Sequence, residues 1–281
     1  VSLSAAPTND HPTPTRHEPF LTLVLRGLLA GVLAGLLAGA VAFVVGEPNV
    51  DSAIAYEEAQ AAAAESADHS HDGVAEEAAG GHSHGDDSAV EVTRGMQKFG
   101  LFLATTLSGA ALGALLGAVI YLVRRAGLLA RHNESVRVLL VTGACYLAVV
   151  LVPFLLYPAN PPAVGDPDTI NARTLQWVAA VVLGAVAVIA AGYAARAVAG
   201  AQPALKLAAP VLAGVVVVAI GWLLLPNAEA APEGFSASLM WSFRLSSLAT
   251  TATLWFALAV IFAALTERTL SAGRRSAVTQ D

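Results

Sequence analysis

The chain is poor in charge, in sulfur and in any catalytic signature. Charged residues fill 13% of its 281 positions, where a soluble domain carries about 25%. Cys145 is the sole cysteine, so a single chain can form no internal disulfide, thiol pair or cysteine metal cage. Inside an apolar block it reads as a small packing residue. HExxH, the phosphate-binding P-loop and the dinucleotide glycine fingerprint are all missing. No histidine lies inside an apolar block, which leaves no Ser/His pair there. These absences argue against an enzyme and against an organic cofactor. A net charge of −6 argues against nucleic acid as a partner.

What is present is apolar and comes in blocks. Hydrophobic residues make up 56% of the chain, and mean hydropathy is +0.64. The blocks run to about 20 residues or more, the length that crosses ~30 Å of hydrocarbon as a helix. They fall at 20–45, 97–123, 136–156, 174–199, 207–225 and 239–265. The sequence therefore predicts an all-α, polytopic protein with six transmembrane helices and the lipid bilayer as its surroundings. Arg16 and Arg26 precede the apolar run of the first block as they would in a secretion signal. Its run from Gly27 to Val45 exceeds the 7–15 residues of a signal's apolar core, so it is expected to stay as an anchor.

Basic residues set the expected orientation. Arg124, Arg125, Arg131, Arg196, Lys206, Arg268, Arg274 and Arg275 fall on the face that carries the N-terminus. Only Arg94, Lys98 and Arg173 lie near the other face. The positive-inside rule then makes the chain a multi-pass cell-membrane protein with both tails, 1–19 and 266–281, in the cytoplasm. The long segment 46–96 falls outside the cytoplasm. Gly46-Glu47-Pro48 reads as the end of the first helix, followed by a short surface helix from Asp51 to Ala67.

That outer segment carries the candidate chemistry. It holds His69-Ser70-His71 and His82-Ser83-His84 beside Asp68, Asp72, Asp86 and Asp87. Twelve acidic residues lie between Gly46 and Gln97, with Arg94 the only arginine. Imidazole suits cobalt, nickel, zinc and copper(II), and carboxylates add oxygen ligands. Two His-x-His pairs with neighbouring acids can supply four or more ligands. The rest of the segment, to about Ala89, is rich in Gly, Ser and acid and is expected to be largely disordered. Such a site would be exchangeable and pH-sensitive, because only neutral imidazole binds. The candidate metal ligands are His69, His71, His82, His84, Asp68, Asp72 and Asp86.

Within the blocks, Gly27, Gly31, Gly35 and Gly39 recur every four residues, and Gly109, Gly113 and Gly117 repeat the pattern. On a helix each set lines one face and lets a second helix approach closely. The two ladders are expected to face each other in a tight hairpin. The membrane interior holds hydroxyls such as Thr105, Ser246, Thr250 and Thr251 but no Asp, Glu, Lys or His, Lys98 standing at the very start of its block. Arg244 is the charge singled out inside a span, either snorkelling to the interface or lining a polar cavity. So few ionisable groups argue against a proton-coupled pump made of this chain alone. They leave a passive path, or a subunit whose partner supplies the rest.

The order of these features resembles the CbtA family of predicted cobalt transporter subunits, in an actinobacterial form. The resemblance rests on the first Gly/Ala/Leu span, then Gly46-Glu47-Pro48 with Asp51, Ala53, Ile54, Glu57 and Glu58, then the His-rich insert. It continues through a Pro/Asp-rich loop into Ala172-Arg173 and Trp177, and a last span from Phe243 through Ser246, Thr251 and Trp255. It implies uptake of cobalt linked to cobalamin synthesis, with the metal as transported substrate. It also implies a small single-span partner of the CbtB type. Glu57, Glu58, Arg173, Trp177 and Arg244 are expected to border the mouth of the path. Two alternatives stay open: a metal-binding accessory or sensor that moves no ion, and a nickel or zinc permease.

Overall fold

The computed structural model describes residues 18–68, 93–162, 164–230 and 234–278. They are mostly helical, without a strand among them. Six stretches are long and apolar enough to cross a membrane, with mean hydropathies from 2.0 to 2.6. Every backbone polar group in hydrocarbon needs an internal partner, and the α-helix supplies one within each segment.

The elements are α1 (Phe20–Val41), α2 (Glu47–Asp68), α3 (Arg94–Arg125), α4 (Glu134–Tyr146), α5 (Val152–Leu156), α6 (Ile170–Ala197), α7 (Pro203–Leu224) and α8 (Ala237–Val278). Local chemistry marks several ends. Thr93 and Asn133 accept the backbone N–H three residues on, from Met96 at 3.3 Å and Val136 at 2.8 Å, as N-caps do. Gly127, with φ +64°, closes α3 while Leu128 N–H reaches Val123 O at 3.0 Å. The short turn that follows sends α4 back antiparallel to α3.

The first helix does not end at Gly46-Glu47-Pro48. A π-helical turn, Ala42–Gly46, joins α1 directly to α2. A second π turn, Leu147–Leu151, joins α4 to α5. In each, the N–H just after the turn reaches back five residues: Glu47 to Ala42 O and Val152 to Leu147 O. In each, the next residue is proline, Pro48 or Pro153. Proline has no N–H to give and collides with the carbonyl four residues back. A wider turn shifts that carbonyl away, so the helix bends its bonding pattern and continues. Asn49 supports the first turn by donating from Nδ2 to Val45 O at 2.9 Å and to Ser246 Oγ on α8 at 3.3 Å.

In order of contact the spans form an open row: α3, α1, α8, α4 with its continuation through the second π turn into α5, α6 packed on that continuation, and α7. α1 sits between α3 and α8, and α8 between α1 and α4. At the far edge α7 packs on α6 and has no comparable contact with α8, its neighbour in sequence. The core is formed by Leu23, Ala30, Ala34, Leu116, Ile120, Val138, Leu258 and Phe262, each 2% exposed or less. Elsewhere large apolar side chains point outward, as lipid-facing residues do.

Candidate ion-handling site

Two ends of the bundle carry polar structure. The end from which residues 69–92 leave and return holds the sequence-predicted mouth residues. α2 continues α1 beyond the apolar zone, and Tyr56 ties it to the loop before α8. The Tyr56 hydroxyl donates to Gly234 O at 2.7 Å, and its ring meets Phe235 edge-on at 5.0 Å between centroids. Glu57 and Glu58 are exposed on this stalk. At its base Arg94, opening α3, pairs with Glu47 at 2.8 Å and also with Asp51. Lys98 Nζ stands 3.8 Å and 3.9 Å from the same two carboxylates. Glu47 and Asp51 are one helical turn apart, so a single guanidinium reaches both.

Arg173 and Trp177, also one turn apart on α6, line a cavity of about 240 Å³ with Tyr157, Asn160, Gln176 and Glu229. Glu229 is held by Asp166 N–H at 3.1 Å and Thr169 Oγ1 at 3.3 Å, with Arg173 Nε at 3.8 Å. Arg173 also donates to Asp166 O at 3.1 Å. Gly165 lets the guanidinium come this near, since a Cβ there would stand 3.0 Å from Arg173 Cζ and Gly165 has φ +118°. Arg244 donates to Asn160 Oδ1 at 3.1 Å and to Ala159 O at 3.4 Å, and it lies 5.5 Å from the Trp241 ring centroid. It therefore clamps the loop after α5 onto α8. Arg173, Trp177 and Arg244 thus converge on one loop, while Glu57 and Glu58 stand apart on α2.

His69, His71, His82, His84, Asp72 and Asp86 lie outside the described residues, and Asp68 is the last residue of α2. Among the described residues no group of three or more His, Cys, Asp or Glu side chains is placed to hold a metal.

The glycines of the two ladders lie backbone to backbone. Gly27 sits against Gly113, Gly31 against Gly109, and Gly117 against Leu23. A Cβ on Gly113 would stand 2.9 Å from the Gly31 Cα, and one on Gly109 2.9 Å from the Gly35 Cα. Gly35 and Gly39 meet Thr105 and its neighbours.

The opposite end carries a network that the sequence did not disclose. Arg26, placed by the sequence ahead of the first apolar run, lies inside α1 and is 7% exposed. So Arg244 is not alone among charges within a span. Arg26 donates to Glu18 at 2.6 Å and 3.1 Å, and to Thr266 at 3.2 Å and Thr269 at 3.0 Å on α8. Arg124 at the end of α3 donates to the same Glu18 at 2.7 Å. Glu134, opening α4, accepts from Arg137 at 2.7 Å and lies 2.6 Å from Arg124 Nη2. Ser135 donates to Glu267 of α8 at 2.5 Å. Burial pushes the Glu18 carboxyl up, but hydrogen bonds and charge from Arg26 and Arg124 outweigh it and hold the group below its ordinary value. The one sequence signal was an arginine seven residues into a span, which needs a buried partner.

A family model described as probable cobalt transporter subunit (CbtA) matches residues 20–267. No curated protein matches the chain, and no solved structure does. The match reaches all six membrane-length helices and the insert-bearing end but stops short of Glu18 and Thr269, and the chain belongs to the CbtA family of probable cobalt transporter subunits.

Proposed function

We propose that this multi-pass chain is the membrane subunit of a divalent-cation uptake system, with cobalt as its substrate, and that the His-x-His pairs capture the ion outside the cytoplasm. The observation that carries the reading is where the insert is attached. α2 rises from Glu47 to Asp68, roughly 32 Å at 1.5 Å per residue. The chain returns at Thr93, beside Arg94 with its pairs to Glu47 and Asp51. His69 and His71 follow Asp68 directly, so chain length ties them near the far end of the stalk. His84 is nine residues from Thr93, a reach of about 30 Å when extended. One pair would take up ions from solution, and the other would carry them to the mouth bordered by Arg173, Trp177 and Arg244. The acidic insert raises the local cation concentration. Both termini are cytoplasmic on this reading, and a small single-span subunit of the CbtB type completes the path.

Radioactive cobalt uptake in a transport-deficient bacterial host tests this, with and without the small subunit. Changing His69, His71, His82 and His84 together to Ala is expected to cut uptake at low cobalt and spare it at high cobalt. Equal uptake by native and variant chains at every concentration rejects capture by the insert. Uptake no higher than an empty vector, from a well-inserted protein that binds metal, favours the accessory reading. Competition by nickel or zinc as strong as by cobalt itself rejects the cobalt assignment.

A further inference from the structure

We propose that Glu18, Arg26, Arg124, Glu134 and Arg137 form a gate, closed here, that seals the end of the bundle opposite the insert. This rests on the transport reading and adds the element that opposes passage. Five charged side chains from four separate segments meet at one level: the chain ahead of α1, α1 itself, α3 and α4. Thr266 and Thr269 join α8 to the cluster through Arg26. Side-chain exposure is 5% for Arg26 and 11% for both Arg124 and Arg137. The bases at the other end are more open, with Arg94 at 37% and Lys98 at 36%, and so is Asp51 at 51%, while Glu47 at 12% is more covered than Glu18 at 23% or Glu134 at 29%. The cationic side chains are thus covered at one end and open at the other, which also carries a cavity.

Two further observations separate a gate from a plain staple. The network is incompletely satisfied. Arg124 Nε and Arg137 Nε are buried with no hydrogen-bond partner, while Arg124 Nη2 and Glu134 Oε2 meet as an ion pair at 2.6 Å. Buried polar groups without partners are costly, so the closed arrangement is held less firmly than its short distances suggest. The second observation is a pair of pivots. α1 and α4, which flank α8, each carry a π turn followed by proline near the insert-bearing end. From Arg26 to Val44 is about 27 Å of helix, so a small bend at the π turn moves Arg26 by several ångströms. π turns and prolines are where helices bend.

Cysteine accessibility tests this without requiring transport. In a Cys145→Ala background, Thr266→Cys, which gives up the Arg26 bond to Thr266 but leaves every ion pair of the network intact, reports on the network and Ala30→Cys on the core; both native positions are 0% exposed. A charged, membrane-impermeant maleimide is applied to each face of proteoliposomes. With the network intact both reporters are expected to stay unlabelled. With Glu18→Gln, or separately Glu134→Gln, labelling at position 266 is expected to rise at least tenfold, from the Glu18 face only, while position 30 stays dark. No rise in either variant overturns the gate, and so does labelling at position 266 with the network intact. If position 30 opens as well, or both variants fail to insert, the cluster is a structural staple and the proposal falls. Cobalt uptake is followed in parallel. Selective opening in a chain that moves no cobalt keeps the gate and rejects transport; uptake without selective opening does the reverse.

Discussion

The two wings of the row are built differently. In the α3–α1–α8 block, backbone meets backbone at Gly27, Gly31, Gly109 and Gly113, and Phe262 lies against Gly27 with no exposed surface. In the α6–α7 wing, α7 buries only Gly221 among its 22 residues, and Leu223 and Leu224 are 83% and 79% exposed. In water an open helix of this kind would not hold its place. In lipid an exposed leucine costs nothing, because hydrocarbon lies on either side of it. What distinguishes the wings is therefore shape and polar pairing, not hydrophobicity.

The sharpest way to break the contrast is at the glycines. Gly113→Leu drives a side chain into the α1 backbone and is expected to cost on the order of 3 kcal/mol, or to prevent assembly. Gly192→Leu on α6, where a Cβ meets nothing within 4 Å, is expected to cost less than about 0.5 kcal/mol. Unfolding in mixed detergents reads both, and equal tolerance would erase the distinction. Next in size is Arg26→Met, which leaves Glu18 without its closest partner. A loss of about 2–3 kcal/mol is expected, by analogy with broken buried pairs. Lys98→Ala removes a longer contact at a half-open surface and is expected to cost less than about 1 kcal/mol. Leu224→Ala on the open wing is expected to change stability least.

Acid should separate the two polar ends. Metal capture by the insert requires neutral imidazole, so it is expected to fall as the pH drops through about 6.5. The Glu18 carboxyl is held below its ordinary value. Its pairs keep their full contribution above the ordinary carboxylate range and lose it only as the pH falls through the depressed folded value. Between pH 7.5 and 5.5, cobalt binding to the purified chain should therefore weaken while thermal stability holds. Loss of stability over that window would show that the network is not set by Glu18.

Some of this was legible from residues alone. The Gly-x-x-x registers identified faces able to pack closely, and Arg173 and Trp177, expected together at a mouth, line one cavity. Pro48 misled. After Gly46 and Glu47 it has every mark of a helix end, and only a change to i→i+5 bonding lets the helix continue. Arg26 was read as a flank of the first span because its partners are remote: Arg124 is reached through Glu18, and Thr266 is 240 residues away. The loop that Arg244 holds is likewise 84 residues off. The His-x-His pairs were legible as chemistry, and they lie outside the described residues.

By itself the sequence determined how many helices cross the membrane, because that depends on the length and polarity of single segments. It also determined which residues could ligate a metal, because ligand chemistry belongs to the side chain. Only the tertiary structure decided which helices are neighbours, that α7 stands at an edge, and that Glu18 joins Arg26 to Arg124. Those outcomes depend on contacts between segments far apart in the chain, where local propensity is silent and close packing and charge pairing select the arrangement.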